Sequence, residues 1–324
     1  MKEILISKTD QGQRADKFVR KYLSNAPLSF IYKLFRIKDV KINGKRINRD
    51  YILKENDVLR IYVSDDQLLE FNKTRVIVKT KLPLSIIYED DNILIVNKPS
   101  GLLVHGDEKE KRITLTNMVC TYLMEKENYN LNSQFIPSPC HRLDRNTSGL
   151  VVFAKNIESL HLLEELFKEK KQLKKEYICL VEGKLYGNNK IDAPLYKNEK
   201  TKTVSVRSEE NGGKKAITLY EVMENFADCS LIRARIITGR THQIRVHFSY
   251  IGHPILGDSK YGNFTLNKRF KELYHYENQF LHAEKLTFLN IEGILSYLSN
   301  KVFECPLPEK EALILSDIKK KGKL

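Results

Sequence analysis

The chain has 324 residues, a hydrophobic fraction of 41% and a formal net charge of +14, from 55 Lys and Arg against 41 Asp and Glu. This length predicts two domains, or one large domain with an appendage, and the apolar content is enough for a sizeable core. No run approaches the roughly 18 apolar residues of a transmembrane helix, and the five scattered cysteines predict neither a disulfide framework nor a zinc cage. We expect a cytoplasmic protein, since the alternating N-terminus lacks the apolar stretch of a signal peptide.

The excess positive charge is concentrated at the start of the chain. Residues 1–63 hold 15 Lys and Arg against 7 Asp and Glu, a net charge of +8. A concentrated basic patch attracts polyanions, most often nucleic acid. Two alternatives are a lysine-rich solvated surface and an acidic membrane surface, although no long amphipathic cationic helix supports the membrane.

The same segment predicts a compact module of two helices and a small sheet. Apolar residues over 14–25 recur at the spacing of an amphipathic helix, and 28–37 predict a second short helix. Asn43-Gly44, between alternating apolar and polar residues, indicates a β-hairpin, and a last strand follows over 58–63. We therefore expect a small α/β domain over 1–63.

The rest of the chain predicts a linker, a larger domain and a tail. Residues 64–83 are mixed and polar apart from Val76-Ile77-Val78, and we interpret them as a linker. We expect the second domain over 84–316 and a solvated basic tail over 317–324 that could contact phosphate. Helices are expected at 115–127, 157–170 and 241–251, and strands at 86–88, 93–96, 149–154, 174–184, 217–224 and 230–238. Many strands with few regularly alternating helices favour an α+β fold with a mixed, mainly antiparallel sheet.

A dense polar segment precedes the apolar strand at 149–154. It places Asp144 between Arg142 and Arg145, shortly after His141. A nearby cation keeps a carboxylate ionised, and a positioned carboxylate can act as nucleophile or general base. The residues alone are equally consistent with a salt-bridged turn.

Two further segments are candidates for a site. Residues 239–247 are rich in His, Arg and Gln, which suits either an active-site wall or a hydrogen-bonded structural helix. Tyr177 opens a strand, where a tyrosine usually belongs to the core or rim but can also stack on a base. His282-Ala283-Glu284 has the spacing of a zinc deaminase without its downstream Cys-x-x-Cys, and we expect no metal site.

These segments together resemble the RluA-type family of pseudouridine synthases, closest to its large-subunit ribosomal RNA (RluC-like) branch. The matching segments are 97–101, 141–150, 175–177, 239–247 and 252–255. The resemblance implies that such a chain flips a uridine out of folded RNA and isomerises it to pseudouridine, without cofactor or metal.

The resemblance also implies a role for individual residues. Asp144 corresponds to the catalytic aspartate, Tyr177 to the tyrosine that packs on the target base and is a candidate for C5 deprotonation, and Arg245 to the basic partner of the aspartate. Arg142 corresponds to an arginine that fills the place of the flipped base, and Ile244 to the aliphatic wall. We expect four side chains to line the substrate site: Arg142, Ile244, Arg145 and His141.

Residues 12–18, 41–47 and 57–61 of the N-terminal module resemble the alpha-L RNA-binding domain first named for a ribosomal protein. The resemblance implies that its outward face grips structured RNA; a basic dimerisation or protein-binding module is the alternative. The residues expected to contact RNA are Arg14, Lys17, Lys33, Arg36, Lys38, Lys41, Lys45 and Arg46.

The predicted function is therefore modification of structured RNA, with 23S-type ribosomal RNA as partner, by a monomer. Three alternatives stay open: a non-catalytic ribosome assembly factor, an RNA methyltransferase, for which no methyl-donor glycine loop is found, and a synthase acting on transfer RNA. Whether Asp144 attacks C6 or C1′ or abstracts the C2′ proton also stays open.

Overall fold

The computed structural model describes residues 1–71, 80, 82–107, 110, 112–126, 135–169 and 171–324. The α-helices within these ranges are α1 (Ala15–Tyr22), α2 (Leu28–Arg36), α3 (Asp65–Phe71), α4 (Leu115–Glu125), α5 (Ile157–Glu169), α6 (Gln243–Tyr250), α7 (Phe264–Tyr274) and α8 (Glu309–Lys321). None of them combines the length and apolar character that crossing a bilayer requires. The first eight strands are β1 (Lys2–Leu5), β2 (Val40–Ile42), β3 (Lys45–Arg46), β4 (Val58–Ile61), β5 (Ile86–Glu89), β6 (Ile93–Lys98), β7 (Ser138–Pro139) and β8 (Ser148–Ala154). The later strands are β9 (Leu173–Glu182), β10 (Asn188–Asp192), β11 (Leu195–Asn198), β12 (Thr203–Val206), β13 (Ile217–Asn225), β14 (Cys229–Ile236), β15 (Leu281–Phe288) and β16 (Val302–Glu304).

The N-terminal unit is a four-stranded antiparallel sheet, in the order β1-β4-β2-β3, packed with α1 and α2. Its core includes Phe18 and Val19 of α1 and Ile31 of α2, which confirms the two amphipathic helices. The predicted hairpin is also confirmed: Asn43 and Gly44 both have positive φ, as a type I′ turn between β2 and β3 requires.

The segment interpreted as a linker contributes to this unit. Helix α3 occupies 65–71, and Leu68 and Phe71 pack against the N-terminal core because they share one face of that helix. The ring centroids of Phe71 and Phe30 lie 5.0 Å apart. The expected boundary at residue 63 is therefore too early, while 72–79 and 81, which include the Val76-Ile77-Val78 run, lie outside the described residues.

The second unit is built on a ten-stranded sheet. Eight strands follow the order β10-β13-β14-β9-β15-β8-β6-β5, with β16 beside β15 and β7 beside β8. Strands β15 and β8 run parallel, and the other pairings of these described strands are antiparallel. This confirms the prediction of a mixed, mainly antiparallel sheet.

Helices cover both faces of the sheet, which explains the continuous apolar run of β8. Leu150 and Val152 point toward the layer that contains α5, and Val151 and Phe153 point toward the layer that contains α4 and α6. A strand buried on both faces has no polar side to alternate with. The central strands therefore form a rigid base for the loops at their ends.

The C-terminal segment combines exposed lysines with a buried apolar face. Helix α8 extends to Lys321, and its residues Ile314 and Ile318 are buried against the sheet unit. The backbone amide of Leu324 donates to Asp228 at 2.9 Å, and Leu324 itself is buried. The lysines at 319–321 and 323 are exposed, while Ile314 and Ile318, four positions apart on one face of α8, determine its packing.

Gly149, at the start of β8, allows the close approach of β15. Its φ is +115°, and a Cβ at this position would overlap the backbone of Ala283, the partner residue in the parallel pairing. The close approach of β15 therefore requires glycine at position 149, where the polar segment 141–148 enters the sheet.

We expect Gly149→Ala to destabilise the protein more than Gly101→Ala. Both glycines have positive φ, so each substitution carries a conformational cost of about 1–2 kcal/mol, but a Cβ at Gly101 would meet no atom within 4 Å. Urea unfolding of the two variants measures the difference. Equal losses would show that the backbone of Ala283 does not restrict this position.

Candidate active site

A cleft of about 750 Å³ opens where three segments of the second unit meet. The loop before β8 supplies Asp144, the middle of β9 supplies Tyr177, and the first turn of α6 supplies Arg245. Eight cationic side chains are among its lining residues: Arg142, Lys168, Lys175, Lys197, Lys202, Arg240, Arg245 and Lys260. Three acidic side chains line it as well: Asp144, Glu164 and Glu199. The cleft is therefore strongly cationic, as a binding site for a phosphodiester chain would be.

The loop that carries Asp144 is hydrogen-bonded to the end of β6 and the residues that follow it. The Thr147 amide closes a turn on the Asp144 carbonyl at 3.1 Å. Ser100 donates its hydroxyl to the Asn146 carbonyl at 2.9 Å, and Lys98 Nζ donates to the Arg145 carbonyl at 2.9 Å. These contacts fix the backbone next to Asp144. The segment 97–101, which matched the family motif, therefore supports the loop that carries this aspartate.

Lys98 is fully buried beneath this loop. Its ammonium donates to the carbonyls of Pro99, Leu102 and Arg145 at 2.8–2.9 Å. Burial lowers the pKa of Lys98 to about 7, and the negative charge of Asp144 opposes that shift. The lysine thus joins two loops by three hydrogen bonds at the cost of desolvating its side chain.

Arg245 lies between two carboxylates. Its Nε and Nη2 donate to Oδ2 and Oδ1 of Asp258 at 2.7 and 2.8 Å, and its Nη1 donates to Asp144 Oδ2 at 2.9 Å. The pairing predicted between Asp144 and Arg245 is thus present, across 101 positions of sequence. The bidentate contact with Asp258 fixes the plane of the guanidinium, so Nη1 has one direction in which to point.

Asp258 was not singled out from the sequence. Its side chain is completely buried and also accepts the backbone amides of Lys260 and Tyr261. Burial by itself would raise the pKa of Asp258, but the hydrogen bonds and charge of Arg245 hold it below its usual value. The acidic partners likewise raise the pKa of Arg245 although burial opposes them.

Tyr177 and Ile244 form part of the apolar wall. They are 6% and 5% exposed, and both line the cleft. Burial, and secondarily the charge of Asp144, raises the pKa of Tyr177 above its ordinary value. A phenol that is harder to deprotonate suits packing against a base better than removing a proton from one.

The other predicted substrate residues occupy different positions. Arg142 is exposed and lines the cleft, whereas Arg145 is half-exposed and lies 3.5 Å from Asp107. The His141 ring stacks on Phe167 with centroids 4.3 Å apart, and its Nε2 accepts the Val152 amide. Burial lowers the pKa of His141, so this ring is a neutral part of the wall. The eight basic residues predicted to contact RNA lie on the N-terminal unit and are not among the lining residues of the cleft.

Comparison with known proteins assigns the chain to a family. The model of the RNA pseudouridylate synthase family matches residues 92–250. The ribosomal large subunit pseudouridine synthase C of Vibrio cholerae is 35% identical, over 86% of each chain. That of Escherichia coli is 35% identical, over 89% of this chain and 88% of its own. This chain is an RNA pseudouridine synthase of the RluA type.

The other similarities agree with this assignment. An RNA pseudouridine synthase of Mycoplasma capricolum is 36% identical, over 93% of this chain and 96% of its own. The solved structure of human RNA pseudouridylate synthase domain containing 4 has a TM-score of 0.59 at 24% identity, and it covers 72% of this synthase and 93% of its own chain. That structure supports the fold. The resemblance drawn from the sequence motifs, and the α+β fold expected with it, are therefore confirmed.

We expect Arg245→Ala to destabilise the synthase by about 3–5 kcal/mol, because it leaves a buried carboxylate without its counter-ion. With Arg245 present, the lowered pKa of Asp258 keeps its contribution to stability intact above the ordinary pKa of 3.8. Without it, burial raises that pKa, so the folded variant favours the protonated acid and loses stability as the pH rises. The destabilisation should therefore be smaller at about pH 5 than at about pH 8.

Urea unfolding at the two pH values measures this difference. Arg60→Ala is the matched control, because Arg60 pairs with Glu3 at 2.7 Å on the surface, where an ion pair contributes little. A loss in Arg245→Ala that does not depend on pH would show that the uncompensated charge of Asp258 is not its cause.

Proposed function

We propose that this synthase converts specific uridines to pseudouridine in large-subunit, 23S-type ribosomal RNA, and that it acts as a monomer. The main support is the position of Asp144, which Arg245 holds in a cationic cleft. The chain is also similar over most of its length to large-subunit pseudouridine synthases. The three proposed catalytic side chains, Asp144, Tyr177 and Arg245, belong to one chain, which supports action as a monomer.

The chemistry needs a flipped base and one positioned carboxylate. Extruding a uridine costs a few kcal/mol, least in loops and bulges, and phosphate contacts with the cationic cleft offset this cost. Pseudouridine formation breaks the N1–C1′ bond, forms the C5–C1′ bond and moves a proton from C5 to N1, with no net oxidation. Residues of this chain can therefore supply the groups that the isomerisation needs.

Asp144 is proposed to act on the flipped nucleotide through Oδ1. Arg245 occupies the Oδ2 side at 2.9 Å, and 26% of the Asp144 side chain is exposed toward the cleft. Tyr177 and Ile244 would pack on the uracil, and Arg142, exposed beside the cleft, would enter the space that the base leaves. This assigns Arg245 to orienting the carboxylate and Tyr177 to holding the base.

We further propose that the N-terminal unit binds structured RNA outside the cleft. Six of its eight predicted RNA contacts are exposed: Lys17, Lys33, Arg36, Lys38, Lys45 and Arg46. Arg14 instead donates to Asp16 at 2.8 and 3.0 Å, and half-buried Lys41 lies over the ring of Tyr62. The six exposed cations supply affinity that depends on salt rather than on base sequence.

Asp144→Asn keeps the size of the side chain and removes its charge. We expect it to abolish pseudouridine formation while RNA binding stays near wild type, because the carboxylate contributes no phosphate contact. The assay is release of tritium from 5-tritiated uridine in unmodified large-subunit RNA, followed by mapping of the modified positions.

Transfer RNA is the comparison substrate in the same assay. Asp107→Asn is the control, since Asp107 is an exposed partner of Arg145. Turnover of transfer RNA alone would overturn the proposed substrate, and an active Asp144→Asn enzyme would overturn the proposed catalytic residue.

Two substitutions separate the possible roles of Tyr177. If the ring holds the base, Tyr177→Phe keeps most of the single-turnover rate, while Tyr177→Ala loses at least about tenfold, as expected for a stacking contact of about 1–3 kcal/mol. If the hydroxyl removes the C5 proton, both variants are equally slow. Single-turnover rates at saturating enzyme decide between the two roles.

A further inference from the structure

A chain of three contacts leads from the β11–β12 hairpin to Asp144. The Val204 amide donates to the Tyr261 hydroxyl at 3.1 Å, and that hydroxyl lies 2.7 Å from His242 Nδ1. His242 Nε2 faces Asp144 Oδ2 at 3.8 Å, on the oxygen that Arg245 also contacts. The chain of contacts ends at the carboxylate that carries the proposed chemistry.

The contacts of Tyr261 favour one tautomer of His242. The Tyr261 oxygen accepts the Val204 amide, so its own hydrogen is available for Nδ1. An Nδ1 that accepts a hydrogen bond leaves the ring proton on Nε2 in the neutral imidazole. That Nε2–H then faces a carboxylate oxygen, whereas the other tautomer would direct a lone pair at it.

The charges around the ring favour its neutral form. Burial lowers the pKa of His242, and the cations Arg245 and Lys260 act in the same direction, while Asp144 and Asp258 oppose them. A neutral imidazole in this tautomer has one N–H donor, and that donor faces Asp144.

The backbone at His242 is held in an unusual conformation. Its φ is +53° and its ψ is 21°, in the left-handed region, immediately before α6. Non-glycine residues in this region are strained and persist where the surrounding structure over-determines them, often at functional sites. The ring packs edge-on against Tyr261, with centroids 5.5 Å apart, and Tyr261 also lies under the Arg245 guanidinium.

We propose that His242 is a positioning residue for Asp144 and that Tyr261 sets the tautomer in which it acts. Arg245 Nη1 donates to Oδ2 at 2.9 Å, and His242 Nε2–H, which faces the same oxygen at 3.8 Å, closes on it when substrate binds, so that Oδ1 stays directed at the nucleotide. Hydrogen bonds of this kind are often long without substrate and shorten when it binds. The proposal rests on the catalytic role proposed for Asp144.

The contacts that position His242 begin at a hairpin that also lines the cationic cleft. Val204 belongs to β12, and the β11–β12 hairpin brings Lys197 and Lys202 to the cleft. Lys260 Nζ donates to the Lys202 carbonyl at 2.6 Å and so ties the turn of the hairpin to the segment that carries Tyr261. The hairpin whose lysines face the cleft therefore also orients Tyr261.

The test compares Tyr261→Phe, His242→Gly and the double variant. Glycine adopts the left-handed backbone without strain, and phenylalanine keeps the ring against Arg245. We expect each single variant to lose about tenfold in single-turnover rate, with unchanged affinity for RNA. Because Tyr261 acts through His242, the double variant should be no slower than His242→Gly.

Two further measurements separate positioning from a general loss of structure. His242→Gln places an amide N–H near the position of Nε2 and should recover most of the rate. In the ¹⁵N spectrum of histidine-labelled enzyme, His242 should carry its proton on Nε2, and Tyr261→Phe should abolish that preference. Tyr220→Phe is the matched control, since Tyr220 is a buried tyrosine of β13 that packs on Phe248 outside the cleft lining.

Several outcomes would overturn the proposal. A wild-type rate in His242→Gly, additive losses in the double variant, or a proton on Nδ1 in the wild-type enzyme each contradict it. An inactive Asp144→Asn enzyme together with a fully active His242→Gly enzyme refutes the positioning role alone. An active Asp144→Asn enzyme refutes the catalytic assignment on which that role depends.

Discussion

Arg245 shares one positive charge between a fully buried carboxylate and a partly exposed one, and the active site is organised around that pairing. Asp258 holds the guanidinium by two hydrogen bonds, and the third nitrogen points at Asp144. Removing charges from water is costly unless each has a partner. The surrounding elements meet this requirement: α6 carries Arg245, and the backbone amides of Lys260 and Tyr261 complete the bonds of Asp258.

The loop that carries Asp144 is fixed by a second buried cation on its other side. Lys98 forms hydrogen bonds with carbonyls rather than carboxylates, so its charge remains uncompensated locally and interacts with Asp144. The carboxylate thus lies beside Arg245 and, when Lys98 is protonated, in the field of a second buried cation, and neither side chain can move without losing several hydrogen bonds. Such preorganised charge needs little rearrangement during a reaction.

The two units present physically different surfaces to the RNA that we propose they bind. Exposed lysines and arginines on the N-terminal unit offer attraction that is long in range and screened by salt. The cleft places its cations beside apolar walls, where Tyr177 and Ile244 suit a flat base. The units touch through the Asp10 carboxylate, which accepts the Phe135 amide at 2.9 Å, and the Thr9 carbonyl, which accepts the Ile157 amide. A substrate held at both surfaces would span this junction.

Local patterns of residues were enough to predict many of the helices and strands and to single out Asp144, Tyr177 and Arg245. Apolar periodicity located α1, α2, α5 and most central strands, and the Asn43-Gly44 turn specified its hairpin. The motif around Asp144 indicated the family, because its residue types and order are specific. Helices α3, α7 and α8 were missed: α3 lies in the segment interpreted as a linker, and α7 and α8 bury few of their residues.

Tertiary structure decided which partners those residues have. Asp258 and Tyr261 carry no local signal, because an aspartate and a tyrosine in the short polar segment between Gly257 and Gly262 are ordinary in composition. Their importance comes from a fold that brings Asp258 against Arg245, and Arg245 against a carboxylate 101 positions away. Local sequence fixes backbone preference over a few residues, whereas the pairing of buried charges depends on which strands and helices become neighbours.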